Sequence, residues 1–222
     1  MTERQWQIAQ DSLLPLLKAG VAFTIPLALI SFALGLLVAV LTAIFRLYGP
    51  KPLQWLMQFY VWIIRGTPLL VQLFIIFFGL PRAGIILDPY PAAVIGFTLS
   101  VGAYGSETVR AAILSVHKGQ WEASYALGMT RWQALRRTVL PQAARVATPT
   151  LASAFISLVK DTSLAFTVTV PEMFQRSQQI VSTTYEPLVL YVEVALIYLL
   201  FSSVLSFGQS RLEKHFDRYH TR

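Results

Sequence analysis

The chain has 222 residues, of which 55% are hydrophobic and 13% charged, with a formal net charge of +7 and a mean hydropathy of +0.57. Soluble domains carry about 25% charged residues, so this composition points to a membrane protein. With no cysteine in the chain, disulfides, Cys-ligated zinc and thiol catalysis are excluded.

Residues 1–18 are mildly amphipathic, and an uncharged apolar run follows from Ala19 to Phe45. That length exceeds a signal-peptide core of about 7–15 residues and predicts a first membrane span. Arg46 to Pro52 reads as a short turn. A second apolar run, residues 53–80, is interrupted by Arg65-Gly66-Thr67-Pro68, where a kink or a re-entrant turn is expected. A third run covers residues 92–114, a fourth 147–170 and a fifth 188–207. The expectation is an all-α bundle of five transmembrane helices forming one domain, 1–222.

Between the third and fourth runs lies a polar connector, residues 119–142, GQWEASYALGMTRWQALRRTVLPQ. Ala123, Ser124 and Ala126 keep its first helix thin, and Gly128 supplies the positive φ that ends such a helix. Thr130 with Gln133 fits a capping box opening a second helix, Arg131 to Leu140, which Pro141 ends or passes on to the next.

Cytoplasmic loops hold an excess of Lys and Arg. With the N-terminus outside, the inner side receives Arg46, Lys51 and Arg65, then Arg110, Lys118, Arg131, Arg136, Arg137 and Arg145, then Arg211, Lys214, Arg218 and Arg222. Arg4, Lys18, Arg82, Lys160 and Arg176 fall outside or within the membrane. The connector and the C-terminus are then cytoplasmic. The positive charge is explained as topology facing lipid head groups, and nucleic acid need not be invoked.

Ionisable side chains inside a span normally face the bundle interior or a water-lined path. Lys160 and Asp161 fall inside the fourth run, point about 100° apart on a helix and cannot simply neutralise each other. Glu107 in the third run is a candidate partner for Lys160, or for Arg110 one turn on. Asp161, Glu107, Thr162, Ser163 and Thr67 offer carboxylates and hydroxyls that can read an ammonium and a carboxylate; bracing of the helices is the alternative role. Glu193 reads as a hydrated residue near the outer interface. His117, His215 and His220 are scattered without ligand spacing, and no metal site or catalytic group is expected. Trp55, Tyr60, Trp62, Tyr90, Tyr185 and Tyr191 fall near span ends, as interfacial aromatics do. No G-x-x-x-x-G-K-[ST] phosphate loop is present.

The order Glu122-Ala123-Ser124, Gly128, then Leu140-Pro141 resembles the EAA loop of membrane subunits of ATP-binding-cassette (ABC) importers. Ser124 stands where a second alanine is usual and Thr138 where isoleucine is usual. Arg65-Gly66-Thr67-Pro68-Leu69-Leu70-Val71-Gln72, Gly102 to Arg110 and Leu158-Val159-Lys160-Asp161-Thr162-Ser163-Leu164 resemble segments of the polar amino-acid branch of that family. The resemblance covers nearly the whole chain and implies the type I ABC importer fold in a bacterial inner membrane. It further implies contact of Glu122, Ala123, Ser124, Gly128, Leu140 and Pro141 with a cytoplasmic ATPase that holds the ATP and magnesium. It implies a second permease chain, identical or related, and a solute-binding protein docking on residues 81–91 and 171–187. The rival reading is an ion- or proton-coupled secondary transporter using Lys160, Asp161 and Glu107. Which amino acid or related solute is carried stays open.

Overall fold

The computed structural model describes residues 2–217, and no strand occurs among them. Arg218, His220 and Arg222, placed on the inner side above, lie outside the described residues, as do the side chains of Lys214 and His215.

Helix α1 (Glu3–Ala19) opens with Thr2, whose hydroxyl accepts from the Gln5 backbone while the Gln5 amide oxygen accepts in return. It continues through a π turn (Gly20–Thr24) into α2 (Ile25–Tyr48), giving 46 uninterrupted helical residues, so the first helix begins well before the expected residue 19. Pro26, inside this continuous helix, lies just past the π turn, where the hydrogen-bond register has shifted so that the Ile25 N–H donates to Gly20 O.

Helix α3 (Lys51–Gly66) meets α4 (Leu69–Phe74) at the Arg65-Gly66-Thr67-Pro68 step, and the two halves bend by 108°. Pro68 lacks an N–H and forces Thr67 out of the helical region, to φ −123° and ψ 147°. The second expected span is therefore a broken helix rather than a straight crossing. A π turn (Ile75–Gly79) and a 3₁₀ turn (Leu80–Ala83) complete this arm.

Helix α5 (Pro89–Ser115) is the centre of the bundle, packed on α2, α3, α4 and α8. Its contact with α2 uses small residues. A Cβ added to Gly35 would sit 2.5 Å from the Val101 side chain, and one on Gly102 would sit 2.6 Å from Val38 and from the Tyr60 hydroxyl. Only glycine permits this approach, and the close packing replaces the hydrophobic drive that lipid cannot supply.

Among the described residues, three helices are long and apolar enough to cross a membrane, Glu3–Tyr48, Arg131–Val168 and Pro187–Arg211; the bent pair brings a fourth. Five spans were expected. The difference lies in α5, which is 27 residues long but less apolar, because its inner part carries Ser106, Glu107, Thr108 and Arg110 and is covered by other helices.

The connector folds as α6 (Lys118–Ala126), α7 (Arg131–Ala134) and a π turn (Leu135–Val139) that runs into α8 (Leu140–Asp161). Pro141 sits in the first turn of α8 and does not end the helix. Leu135, Val139, Ala143 and Ala147 pack with Ala43, Val109, Ala112 and Ile113, so the connector is seated under the ends of α2 and α5.

Beyond α8 the backbone tightens into a 3₁₀ turn (Thr162–Val168), followed by α9 (Met173–Thr184) and α10 (Pro187–Asp217). Residues 171–187, which lie between the fourth and fifth apolar runs, thus contain a helix. Gln5 bonds to Glu186 and Ser12 to Glu193, each pair 181 positions apart. The constant offset means that α1 and α10 run side by side in the same direction.

Candidate functional site: an elbow and a cavity joined by one helix

At the elbow, Gly128 has φ +76°. Its N–H donates to Tyr125 O at 2.9 Å and the Met129 N–H to Ser124 O at 3.1 Å, the paired bonds of a Schellman end. Thr130 then caps α7, its hydroxyl accepting from the Gln133 N–H at 3.3 Å and its own N–H donating to Gln133 Oε1 at 2.8 Å. The capping chemistry is what the sequence predicted.

Two ties lock α6 to the helix that follows. Ser124 Oγ lies 2.9 Å from Thr138 Oγ1, and the Gln142 amide donates to Gln120 Oε1 at 3.0 Å. The Arg131 guanidinium sits over the Tyr48 ring, 4.7 Å from its centroid, and Trp121 lies 6.2 Å from the same ring, which fixes the elbow to the end of α2.

The expected coupling residues therefore separate by role. Glu122 and Ala123 are exposed on the outward side of α6, beside Leu127, which is 78% exposed. Ser124 is buried and braces the elbow from within through its bond to Thr138. Gly128 makes the turn, Leu140 packs against the cluster beneath α2 and α5, and Pro141 is exposed in the first turn of α8.

A cavity of about 420 Å³ lies at the other end of α8. Its walls are Phe32 of α2, Leu69 of α4, Ser100 and Tyr104 of α5, Ser157 and Asp161 of α8, and Leu164 beyond. Asp161 is its one carboxylate. Apolar walls with a few polar groups form a pocket that orients a small solute through those groups.

The other candidates are placed differently. Glu107 does not reach Lys160. Its carboxylate accepts from Arg46 at 2.6 Å and from Arg110 at 2.9 and 3.0 Å, with Arg65 3.6 Å away, so α2, α3 and α5 are pinned together. Charge-assisted bonds of this kind are the stronger class. Lys160 is exposed and makes no ion pair among the described residues. Glu107, held by Arg46 and Arg110, is not brought to Lys160 and Asp161 as a proton or ion relay through all three would need.

Thr162 is buried and donates to Val159 O, and Ser163 is half-buried in the 3₁₀ turn; neither lines the cavity. Thr67 donates to Ile63 O at 2.8 Å at the helix break. Gln72 bridges that break, its amide nitrogen reaching Ile64 O, Thr67 O and Thr67 Oγ1 at 2.8, 3.1 and 2.9 Å. These bonds satisfy carbonyls that Pro68 leaves without donors. The five-residue spacing from Thr67 to Gln72 was the available signal for this clamp.

Two acids depart from expectation. Glu193 is half-buried, and its Oε2 accepts the Ser12 hydroxyl at 2.5 Å, rather than being simply hydrated. Glu172, which no motif marks, is fully buried at the N-terminus of α9. Its carboxylate accepts from the Phe174 and Gln175 N–H groups at 2.8 and 2.6 Å and from the Tyr198 hydroxyl at 3.0 Å. Burial pushes its pKa up to about 7, against the opposing pull of those donors.

The family described as binding-protein-dependent transport system inner membrane component matches residues 31–218. The chain is 50% identical over 215 residues to the L-cystine transport system permease protein TcyB of Bacillus subtilis, covering 96% of this chain and 92% of that one. It is 37% identical over 203 residues to the glutamine transport system permease protein GlnP of Escherichia coli, covering 90% and 93%. Among solved structures, that of an amino acid ABC transporter with histidines matches with a TM-score of 0.88 at 30% identity, over 97% of this chain and 100% of that one.

Proposed function

Because the chain belongs to the family of binding-protein-dependent transport system inner membrane components, we propose that it is the multi-pass permease subunit of an ATP-driven importer for polar amino acids. The relatives named for cystine and glutamine, and the amino acid transporter among solved structures, support this class of solute.

The observation that carries the mechanism is the single stretch of helix from Arg131 to Val168, 38 residues long, with the elbow at one end and Asp161 near the other. Leu140 to Asp161 alone, 22 residues, is about 33 Å of helix. A force on Glu122, Ala123 and Leu127 passes through the Ser124–Thr138 and Gln120–Gln142 ties into α8. It then moves the wall that carries Asp161. Transport requires two arrangements of this wall that nucleotide and solute favour differently.

In this reading a separate cytoplasmic ATPase binds the outward face of α6, and ATP with magnesium belongs to that subunit. The end of the molecule bearing Arg46, Lys51, Arg131, Arg136 and Arg137 faces the cytoplasm. A second permease chain completes the cavity, in which Tyr104 and Asp161 are exposed. A solute-binding protein docks on the opposite end, where Ile86 and Tyr185 project. Asp161 receives the ammonium of the solute.

Purification in mild detergent tests the coupling. Glu122→Lys and Gly128→Asp are expected to strip the ATPase from the permease while leaving the permease folded. Retention of a stoichiometric ATPase by both variants would contradict the reading.

A further inference from the structure

A chain of hydroxyls runs from Glu172 to the end of α8. Glu172, fully buried, holds the first turn of α9 with its carboxylate and takes the Tyr198 hydroxyl of α10 at 3.0 Å. The same Tyr198 hydroxyl lies beside two more, those of Thr24 in the π turn and Thr162 in the 3₁₀ turn, both fully buried. Thr24 Oγ1 accepts the Met173 N–H at 3.3 Å. Thr162 donates to Val159 O at 2.7 Å, so toward Tyr198 its oxygen can only accept. Thr162 directly follows Asp161, and its own N–H closes the last turn of α8 onto Leu158 O.

A phenol has one proton to give. With Glu172 ionised, Tyr198 directs it to the carboxylate, and Thr162 receives nothing from Tyr198. With Glu172 protonated, the carboxyl O–H is itself a donor. It turns to the Tyr198 oxygen, and the phenol proton moves round to Thr162. The bonds then run in one direction, from Glu172 to Tyr198 to Thr162 to Val159 O, and tie the last turn of α8 to α9 and α10. Hydrogen bonds in such a chain strengthen one another.

Burial raises the Glu172 pKa to about 7, so the proton is gained or lost near neutrality. Solvent is one residue away, since Pro171 is exposed. Tyr198 is the titratable group that faces Glu172. The charged side chains around it are engaged elsewhere: Arg176 of α9 with Gln179, Glu193 of α10 with Ser12, and Asp161 of α8 at the cavity. No charge acts on it from Lys18 of α1 or Lys160 of α8.

We propose that Glu172 is a positioning residue for solute binding: by taking up or releasing a proton it ties or frees the last turn of α8 through Tyr198 and Thr162, and so sets the place of Asp161 in the cavity. The effect on solute rests on the function proposed above; the reversal of the bonds does not.

The test uses the full chain in its transporter complex, in lipid discs, with partner subunits that carry no cysteine. Because this chain has none either, Leu164→Cys gives a single site on the 3₁₀ turn at the cavity wall for a trifluoromethyl label read by fluorine NMR. The resonance is expected to move between two positions with its midpoint near the Glu172 pKa of about 7. Glu172→Gln, a neutral amide that donates as the protonated acid does, should hold it at the low-pH position throughout. Tyr198→Phe and Thr162→Val each cut the chain and should hold it at the high-pH position. A resonance that does not titrate, or a titration that survives Glu172→Gln, would overturn the proposal. So would one that survives both Tyr198→Phe and Thr162→Val, and this pair decides the matter should Glu172→Gln fail to assemble. In vesicles, the half-saturating concentration of L-glutamine or L-cystine for ATP hydrolysis should rise about fivefold from about pH 6 to about pH 8, the scale of one neutral hydrogen bond. The maximal rate should stay the same, and Glu172→Gln should abolish the rise. A rise that persists in Glu172→Gln would overturn the link to solute, whereas a titrating label with neither solute stimulating hydrolysis would uphold the switch and contradict the proposed solute class.

Discussion

Ser124 Oγ and Thr138 Oγ1 lie 2.9 Å apart, and these are the two positions at which the connector departs from the EAA pattern it resembles. Where that pattern has a small apolar residue and an isoleucine, this chain carries two hydroxyls that answer each other. Both departures lie inside the elbow, away from its outward face. The pair should behave as a unit: Ser124→Ala and Thr138→Val are each expected to cost about 1 kcal/mol, with the double variant costing little more than either. Thermal unfolding of the detergent-solubilised singles and double reads this coupling.

Glu107 gathers three guanidiniums at unequal distances, and the consequences of removing them should rank accordingly. Arg46, at 2.6 Å and largely buried, is expected to matter more than Arg65, at 3.6 Å with its side chain 45% exposed. Loss of the Arg46 bond should cost on the order of 1.5–3 kcal/mol, as for hydrogen bonds to charged groups. Arg65→Gln should fall nearer the range of about 0–1 kcal/mol of exposed pairs. Denaturation midpoints of Arg46→Gln and Arg65→Gln check the order.

The seam between α2 and α5 makes a steric claim. Gly35→Ala places a Cβ within 2.5 Å of Val101 and is expected to destabilise by about 1–3 kcal/mol, the range of overpacked cores. The nearest atom is the Val101 Cβ itself, so Val101→Ala should relieve only the Cγ1 contact at 2.6 Å and leave most of the loss in place, which the melting temperatures of single and double variants will show.

Glu172 gives a pH dependence of known sign. Its pKa is raised from an ordinary 4.5 to about 7 in the folded protein. The folded state therefore holds a proton that the unfolded chain releases near pH 4.5. This contribution to stability is complete below about pH 4.5 and is lost as pH rises through about 7. The melting temperature should fall over that window, and Glu172→Gln should flatten the profile.

Much of the elbow was legible in the sequence because its signals are local. Gly128 was readable as a left-handed helix end, Thr130 with Gln133 as a capping box, and Thr67-Pro68 as a break; each depends on residues within a few positions. The ion pair of Glu107 with Arg110, one turn apart, was readable for the same reason. Its partner Arg46 was not, since it arrives from 61 positions away once α2 and α5 pack. Glu172 was equally hidden. Beside Pro171 it resembles a solvated turn residue, and only the return of Tyr198 on α10 and of Thr24 at the π turn closes over that helix end. Lys160 and Asp161 lie in the fourth span where the apolar run put them, at the end of α8 where the backbone tightens at Thr162 and both side chains are exposed; that Glu107 pairs with Arg46 and not with Lys160 was hidden by distance along the chain.

The cavity has its own test. Asp161→Asn removes its one carboxylate while keeping the shape. In vesicles with the complete transporter it should lower solute-stimulated ATP hydrolysis by at least about tenfold, the scale of a lost charge-assisted bond. Basal hydrolysis should stay the same.

The central claim, that the outward face of α6 meets a cytoplasmic motor, is most directly tested by labelling. The chain contains no cysteine, so Ala123→Cys introduces a single thiol at the exposed face. A membrane-impermeant maleimide should leave it untouched in sealed cells and label it in inverted vesicles stripped of the ATPase, with protection returning when the ATPase is added back. Labelling from outside sealed cells, or labelling of inverted vesicles that the ATPase does not diminish, would contradict the account.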